Sequence, residues 1–404
     1  MASATHSPTC SDDDILDGVL ALLAAGGPAA PRRRLLQALA QGGTPAAWSA
    51  AALRHAGLDV AQQQAMRNPD APRLAAAREW LRTPGCRLLH LGEPDYPPLL
   101  RQLPDAPLAL WLHGDAALLW RPTVAVVGSR AATGGGCDNA GDFARALAAA
   151  GLVVASGLAR GIDAAAHRAA LQVPGGLTTA VIGTGPDIAY PASHAGLQRE
   201  VASAGVVVSE FWPGTGPLPA HFPRRNRVIA GLSLAVLVVE AAERSGALIT
   251  ARLAAAAGRE VLALPGSIHN PTARGCHRLL RDGAHLVATP DEMIELLADQ
   301  VADHARLLRE QLGIPIKESA TSAFDSGAIV EATAEPAVGG ASGDAPGVDP
   351  DYKRLWSALD FDPIPLDVLV TRSGLTVARV SAILPLMELD GRVRVEHGRW
   401  SRKR

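Results

Sequence analysis

Six short apolar segments, most of them Val-rich, recur between Val124 and Leu264, and this recurrence constrains the fold more than any other feature of the chain. They are Val124–Val127, Leu152–Ala155, Thr179–Ile182, Val206–Val208, Ala235–Val239 and Val261–Leu264. Runs this short and this continuously apolar fit strands covered on both faces, as in a parallel sheet. Ala-rich helical stretches separate most of them, which supplies the crossovers that parallel neighbours require. The expected fold is a doubly wound α/β domain closing with a helix near Asp291–Leu308.

The flanks read differently. Residues 12–83 are Ala/Leu-rich, helical in pattern and broken by Gly and Pro, as expected of a small helical domain. Residues 84–122 put short apolar runs between prolines. They are expected to be a connecting lead-in with strands near Leu88 and Leu110, belonging to a unit that spans 84–312. Residues 313–350 lose periodicity and set one lysine against six acids (Glu318, Asp325, Glu331, Glu335, Asp344 and Asp349), the composition of a disordered acidic linker. Residues 351–404 regain pattern: helices at Tyr352–Leu359, Leu366–Arg372 and Thr376–Leu389, then a hairpin around His397 and Gly398. That is a winged helix, expected to move on its tether without fixed docking.

The 38 basic residues nearly balance 40 acids, so a uniformly basic coat is excluded but a local patch is not. All but three of the basic residues are arginine, and Lys317 is the first lysine. A Walker lysine or a Schiff-base lysine is thereby excluded from the first three quarters of the chain. The four cysteines are widely spaced, which argues for free thiols rather than a zinc ribbon or disulfide framework. The opening residues lack the pattern of a secretory leader, and no window reads as a membrane span. A cytoplasmic protein without a cofactor is expected.

Chemistry concentrates in the turns at the strand ends. Gly128, Ser129 and Arg130 follow the first strand and precede a helix expected to open near Cys137 or Asp138. A helix start offers free N–H groups and a partial positive charge to a phosphate, and Arg130 adds a planar fork. Ser156 and Gly157 open a second turn, in which Asp163 is suited to cap the next helix and His167 to a structural role. The densest cluster is His221-Phe222-Pro223-Arg224-Arg225-Asn226-Arg227. Arginine binds phosphate, asparagine can bond a base edge, and phenylalanine can stack on a base. Glu210 and Glu240 end strands and are candidates for an acid pair, without a nucleophile or metal cluster beside them.

These motifs, in order, resemble the DNA-processing protein A (DprA/Smf) family. The resemblance rests on Val127–Arg130, SGLARGIDAAAH (156–167), GTGPDIAYP (183–191), FPRRNRVIAGLS (222–233), SGALITA (245–251) and RGCHRLLRDGA (274–284), with the lead-in from Glu93 to Asp115. It implies an extended Rossmann-like domain that homodimerises, binds single-stranded DNA, protects incoming strands and loads the RecA recombinase in natural transformation. By matching motif, the implied contacts are Arg130, Phe222, Arg224, Arg225, Asn226 and Arg227. Gly128, Ser129, Ser156, Gly157 and Thr250 add backbone or hydroxyl groups. His194 and His277 stand where the family usually has Asn. The competing reading is a nucleotide-binding or nucleoside-monophosphate-hydrolysing enzyme of the lysine-decarboxylase-like Rossmann group. The stretch SGALITA lacks the glutamate that such enzymes carry in their phosphate motif.

Overall fold

A computed structural model of the chain describes residues 12–41, 43–311, 349–396 and 399–403. The stretch expected to be a linker lies outside the described residues except for its last two positions, and so do His397 and Gly398. The chain opens with five helices, α1 (Asp12–Ala24), α2 (Ala29–Ala40), α3 (Ala50–His55), α4 (Val60–Arg67) and α5 (Ala71–Leu81). Their starts follow local chemistry: Asp59 and Gln62 form a reciprocal capping box on α4, and Asp70 caps α5. The lead-in contributes β1 (Cys86–His90), α6 (Pro98–Arg101) and β2 (Ala109–Gly114).

The alternation then runs β3 (Thr123–Val127), α7 (Gly134–Ala149), β4 (Val153–Ser156), α8 (Ile162–Gln172), β5 (Thr178–Ile182), α9 (Ala195–Ala204) and β6 (Val206–Ser209). It continues as α10 (His221–Leu232), β7 (Ala235–Val238), α11 (Gly246–Ala256), β8 (Glu260–Ala263), α12 (Arg274–Arg281), β9 (His285–Leu286) and α13 (Pro290–Gln311). The C-terminal unit holds α14 (Pro350–Ala358), β10 (Ile364–Pro365), α15 (Leu366–Ser373), α16 (Val377–Leu389), β11 (Val393–Glu396) and β12 (Arg399–Arg402).

All six expected strands form, in a nine-stranded sheet ordered β1-β2-β6-β5-β4-β3-β7-β8-β9. Seven strands, from β6 to β9 in this order, are parallel. The lead-in is more than a connector: β2 pairs antiparallel with β6 and β1 with β2, extending the sheet as a hairpin. The strand order reverses between β3 and β7, the topological switch point of the sheet. Side chains of β3 alternate as a twice-covered strand requires. Val124 and Val126 enter the core under α7 and α13, with Phe143, Leu147 and Met293, while Ala125 and Val127 enter the opposite core.

That second core joins Leu20, Leu36 and Leu53 of the N-terminal helices with Leu110, Trp111 and Val208 of the sheet. The helical segment is thus a cover on the sheet rather than a separate bead. The C-terminal unit is the expected three helices and wing, with β10, β12 and β11 as its sheet. In the structure it lies against α7: Arg372 pairs with Asp138 of α7 at 2.7 Å, and Asp360 lies against Gly135 at the start of that helix.

The helix α7 starts at Gly134, three or four residues earlier than expected, because Thr133 caps it by accepting the Gly136 N–H at 3.0 Å. Asp163 does not cap α8, whose N-cap is Gly161; its carboxylate turns back to accept from Gly157 N–H and Ala159 N–H at 3.1 and 3.3 Å. Four residues on, His167 is fully buried. Thr178 Oγ1 donates to Val154 O, so it accepts from His167 Nδ1 at 2.7 Å, and His167 Nε2 remains a buried acceptor without a partner. Burial, reinforced by the positive charge of Arg225, pushes the imidazole down to about 3.

A histidine held neutral in the folded state and free to protonate at its ordinary value when unfolded binds more protons unfolded. Stability contributed this way is intact above about pH 6.5 and falls as pH drops toward 3, by roughly 1 kcal/mol per pH unit. Denaturant unfolding between pH 7 and 4.5 is expected to show that slope, and His167→Gln is expected to flatten it. An identical slope in the variant rules His167 out as its source.

Candidate nucleic-acid interface

The loops after β3 and β7 diverge at the switch point and enclose a cavity of about 570 Å³. Gly128, Ser129 and Arg130 form one wall, and Arg225, Asn226, Arg244, Ser245, Gly246 and Thr250 the other. Gly128 is required by packing: a Cβ there would lie 2.5 Å from Ile162 Cγ1 and 2.9 Å from Glu240 O. The start of α11 opens into this space, with Ser245 capping it by accepting the Ala247 N–H at 3.2 Å. The helix start and the Arg130 and Arg244 side chains make the cavity receptive to an anion.

At its rim Arg130 is exposed and lies over the Phe222 ring, 5.2 Å from the centroid. Phe222 in turn contacts Tyr190 at 5.4 Å between centroids. Tyr190 is 44 % exposed. Cation and rings together offer a platform on which a flat base can stack beside a phosphate ligand. Tyr190 is absent from the residues expected from the sequence. Its signal is an aromatic in the loop after β5, at the same sheet edge as the glycine turns.

The arginine cluster divides. Arg225 is buried, donates from Nη1 to Val181 O at 2.6 Å, and occupies the space where a Gly157 side chain would be. It is therefore a structural cation that forms the floor of the cavity rather than an open phosphate ligand. Burial lowers its guanidinium to about 10, against the pull of Asp163. Desolvation in turn raises the Asp163 carboxyl, countered by Arg225 and by the two backbone N–H groups. Arg227 is nearly buried too, held by Glu210 at 2.5 Å and by Asp105 O at 2.7 Å. Arg224 remains largely exposed, and both Arg224 and Arg227 face a groove on the other side of α10. Asn226 faces the cavity and reaches Gly246 O at 3.4 Å.

Two further expected contacts are committed internally. Ser156 Oγ donates to Val126 O at 2.6 Å, and the Gly157 N–H donates to Asp163. Both residues are buried, so they shape the turn without offering groups to a ligand. His194 Nδ1 lies 2.9 Å from Leu158 O, and His277 Nε2 lies 3.0 Å from Gly266 O. Each imidazole N–H donates to a loop carbonyl, a role an asparagine amide can also fill.

The acids do not form a pair. Four strand spacings separate β6 from β7, about 19 Å, so Glu210 and Glu240 stand at distant points of the edge. Glu240 is buried and accepts from Thr133 N–H, Thr133 Oγ1 and Asn270 Nδ2 at 3.0, 2.7 and 3.2 Å. It fastens α7 to β7, while Glu210 clamps α10.

Removing Arg225 leaves Asp163 buried without its cation and opens the floor of the cavity. Arg225→Ala is expected to lower stability by roughly 3 kcal/mol, read as a fall in the thermal midpoint. Arg224→Ala, which truncates an exposed side chain, is expected to change that midpoint little. Equal midpoints for the two variants would contradict the division of the cluster.

The comparisons with known proteins converge on this architecture. The family model for DNA recombination-mediator protein A matches residues 87–298, and that for the DprA winged helix domain matches residues 340–399. Protein Smf of Escherichia coli is 37 % identical over 357 residues, 88 % of this chain and 87 % of that protein. DNA processing protein DprA of Streptococcus pneumoniae is 48 % identical over 199 residues, 49 % of this chain and 70 % of that protein. The X-ray structure of the S. pneumoniae protein superposes with a TM-score of 0.62 at 36 % identity, covering 69 % of this chain and 97 % of that one. With a two-domain match in the right order and a relative aligned over most of both lengths, the chain belongs to the DNA-processing protein A (DprA/Smf) family.

Proposed function

We propose that the chain binds single-stranded DNA without sequence preference, with the switch-point cavity as the centre of the site. One observation carries this reading: a phosphate-receptive cavity bounded by Arg130, Arg244 and the start of α11 adjoins the Arg130–Phe222–Tyr190 platform. Anion site and stacking surface side by side suit a strand whose bases are unpaired, whereas a duplex hides its base faces. The helix that would read bases in a DNA-binding winged helix is thinly equipped here: Arg379 is the one arginine of α16, and Asp349 and Asp351 bind it at 2.5 and 2.7 Å.

In this reading the protein is not an enzyme. Glu240, the acid beside the cavity wall, already accepts three hydrogen bonds, and among the described residues no group of three or more His, Cys, Asp or Glu could hold a metal. No single described helix is long and apolar enough to cross a membrane. Family membership extends the proposal to a homodimer through the Rossmann-like domain that protects incoming strands and passes them to the RecA recombinase in the cytoplasm.

The test compares a poly-T oligonucleotide, a duplex of equal length and a nucleoside monophosphate. The single strand is expected to bind best, with a log–log salt slope of roughly −0.7 per phosphate contacted. Arg130→Ala is expected to weaken single-strand binding at least tenfold and make that slope shallower. Duplex binding as tight as single-strand binding at moderate salt, or sustained release of phosphate from the monophosphate, overturns the reading.

A further inference from the structure

The groove beyond α10 has no role in the site described so far. It measures about 750 Å³ and runs between the N-terminal helices and the loop after β6. Its arginines come from three distant parts of the sequence: Arg32 and Arg33 on α2, Arg73 on α5, and Arg224 and Arg227 on α10. Acids answer them unevenly. Glu210 and Asp105 both pair with Arg227, at 2.5 and 3.3 Å, while Glu210 reaches Arg224 only at 3.4 Å.

The other three cations are positioned by uncharged groups, Arg33 by donating to Pro104 O and Ala106 O at 2.6 and 3.0 Å. Arg32 donates to Gly27 O at 2.8 Å and more weakly to Leu23 O and Pro28 O, which positions it without neutralising its charge. Burial and the like charge of Arg224 push its guanidinium down, against the pull of Glu210. The Arg73 guanidinium lies over Trp212, 4.3 Å from the ring centroid, and is attracted by the Asp70 carboxylate that caps α5. Arg224 lies 5.6 Å from the centroid of Phe211, which stacks on His221. Three like charges converge on one concavity whose wall is partly aromatic and therefore of low dielectric. Such an arrangement focuses positive potential and stabilises an anion.

We infer that this groove is a second phosphate-binding segment of the single-strand path, with Arg32, Arg73 and Arg224 as its phosphate ligands. The inference rests on the single-strand reading above and extends it. A polyanion suits the groove better than a free anion because its wall is shared. Arg225 and Asn226 line the switch-point cavity on one side of α10, and Arg224 and Arg227 line the groove on the other. A strand leaving the platform at Phe222 meets Arg224 within the next helical turn. The N-terminal helices then do more than cover the sheet: α2 and α5 supply the far bank of the path.

The experiment measures binding of labelled oligo-dT to the full chain at two lengths. One is about six nucleotides, matched to the cavity alone, and the other about twenty, beyond a single-fold site size. The variants are Arg73→Glu and, independently, Arg224→Gln, both at exposed side chains. For the long strand, Arg73→Glu is expected to reduce affinity at least tenfold at low salt and to make the log–log salt slope shallower by roughly 0.7. Arg224→Gln is expected to do the same to a smaller degree. Short-strand affinity is expected to stay within about twofold in both.

Unchanged long-strand affinity and slope in both variants overturn the inference. So does equal weakening of both lengths, since the groove would then not be a separate segment. Arg130→Ala with the short strand reports the cavity independently. If it leaves short-strand binding intact, the single-strand reading of the cavity fails by itself and this extension falls with it.

Discussion

The sheet edge depends on one buried electrostatic arrangement: the Asp163 carboxylate and the Arg225 guanidinium inside the turn that follows β4. Asp163 gathers the Gly157 and Ala159 N–H groups, and Arg225 fills the volume that Gly157 leaves empty. Leu158 between them takes a left-handed conformation at φ 57°, unusual for a side chain without a local polar group. Its carbonyl is held by His194 from the loop after β5. An apolar residue at position 163 would leave those N–H groups unsatisfied, and a short one at 225 would open the floor of the cavity. Each charge spends its hydrogen bonds on backbone, Asp163 on those two N–H groups and Arg225 on Val181 O, and their coulombic attraction couples α8 to α10.

The structure thus uses arginine in two chemically distinct ways. Arg225 and Arg227 are spent on carbonyls and carboxylates and behave as frame members. Arg130, Arg73 and Arg224 keep their forks at or near the surface, each lying on an aromatic ring. Guanidinium suits both tasks because it stays charged when partly buried and stacks on rings through its plane, neither of which lysine does as well. The absence of lysine before Lys317 is consistent with a chain that asks its cations to do both.

Much of this was legible in the sequence. Each Val-rich run became a strand because continuous apolar character and short length leave few alternatives to a doubly covered sheet. The glycine turns became a ligand edge because parallel topology places every strand end on one side. The lead-in was harder: Leu88 and Leu110 announce short strands, but only pairing with Val206–Ser209 turns them into sheet, and pairing partners are not encoded locally. The site residues failed in the same way. Ser156 and Gly157 look receptive by type, and only the position of Asp163 and Val126 shows that their donors are taken. Four adjacent polar residues at 224–227 look alike until the helix assigns each to a side. The contribution of Arg32 and Arg73 was hidden because it arises from the packing of distant helices on the sheet.

The two-sided use of α10 limits what kind of variation this segment can absorb. Each residue of an α-helix is turned about 100° from the last, so Arg224 and Arg225 serve opposite sides through their phase alone. Pro223 falls in the first turn, where no intrahelical N–H is needed, and so the phase is set close to the helix start. Gaining or losing one residue between His221 and Arg227 would leave composition and charge almost unchanged, yet would rotate a frame cation into solvent and a solvent cation into the core. The exposed stretch from Gly216 to Ala220 has no phase to keep, whereas the seven residues after it are fixed in number.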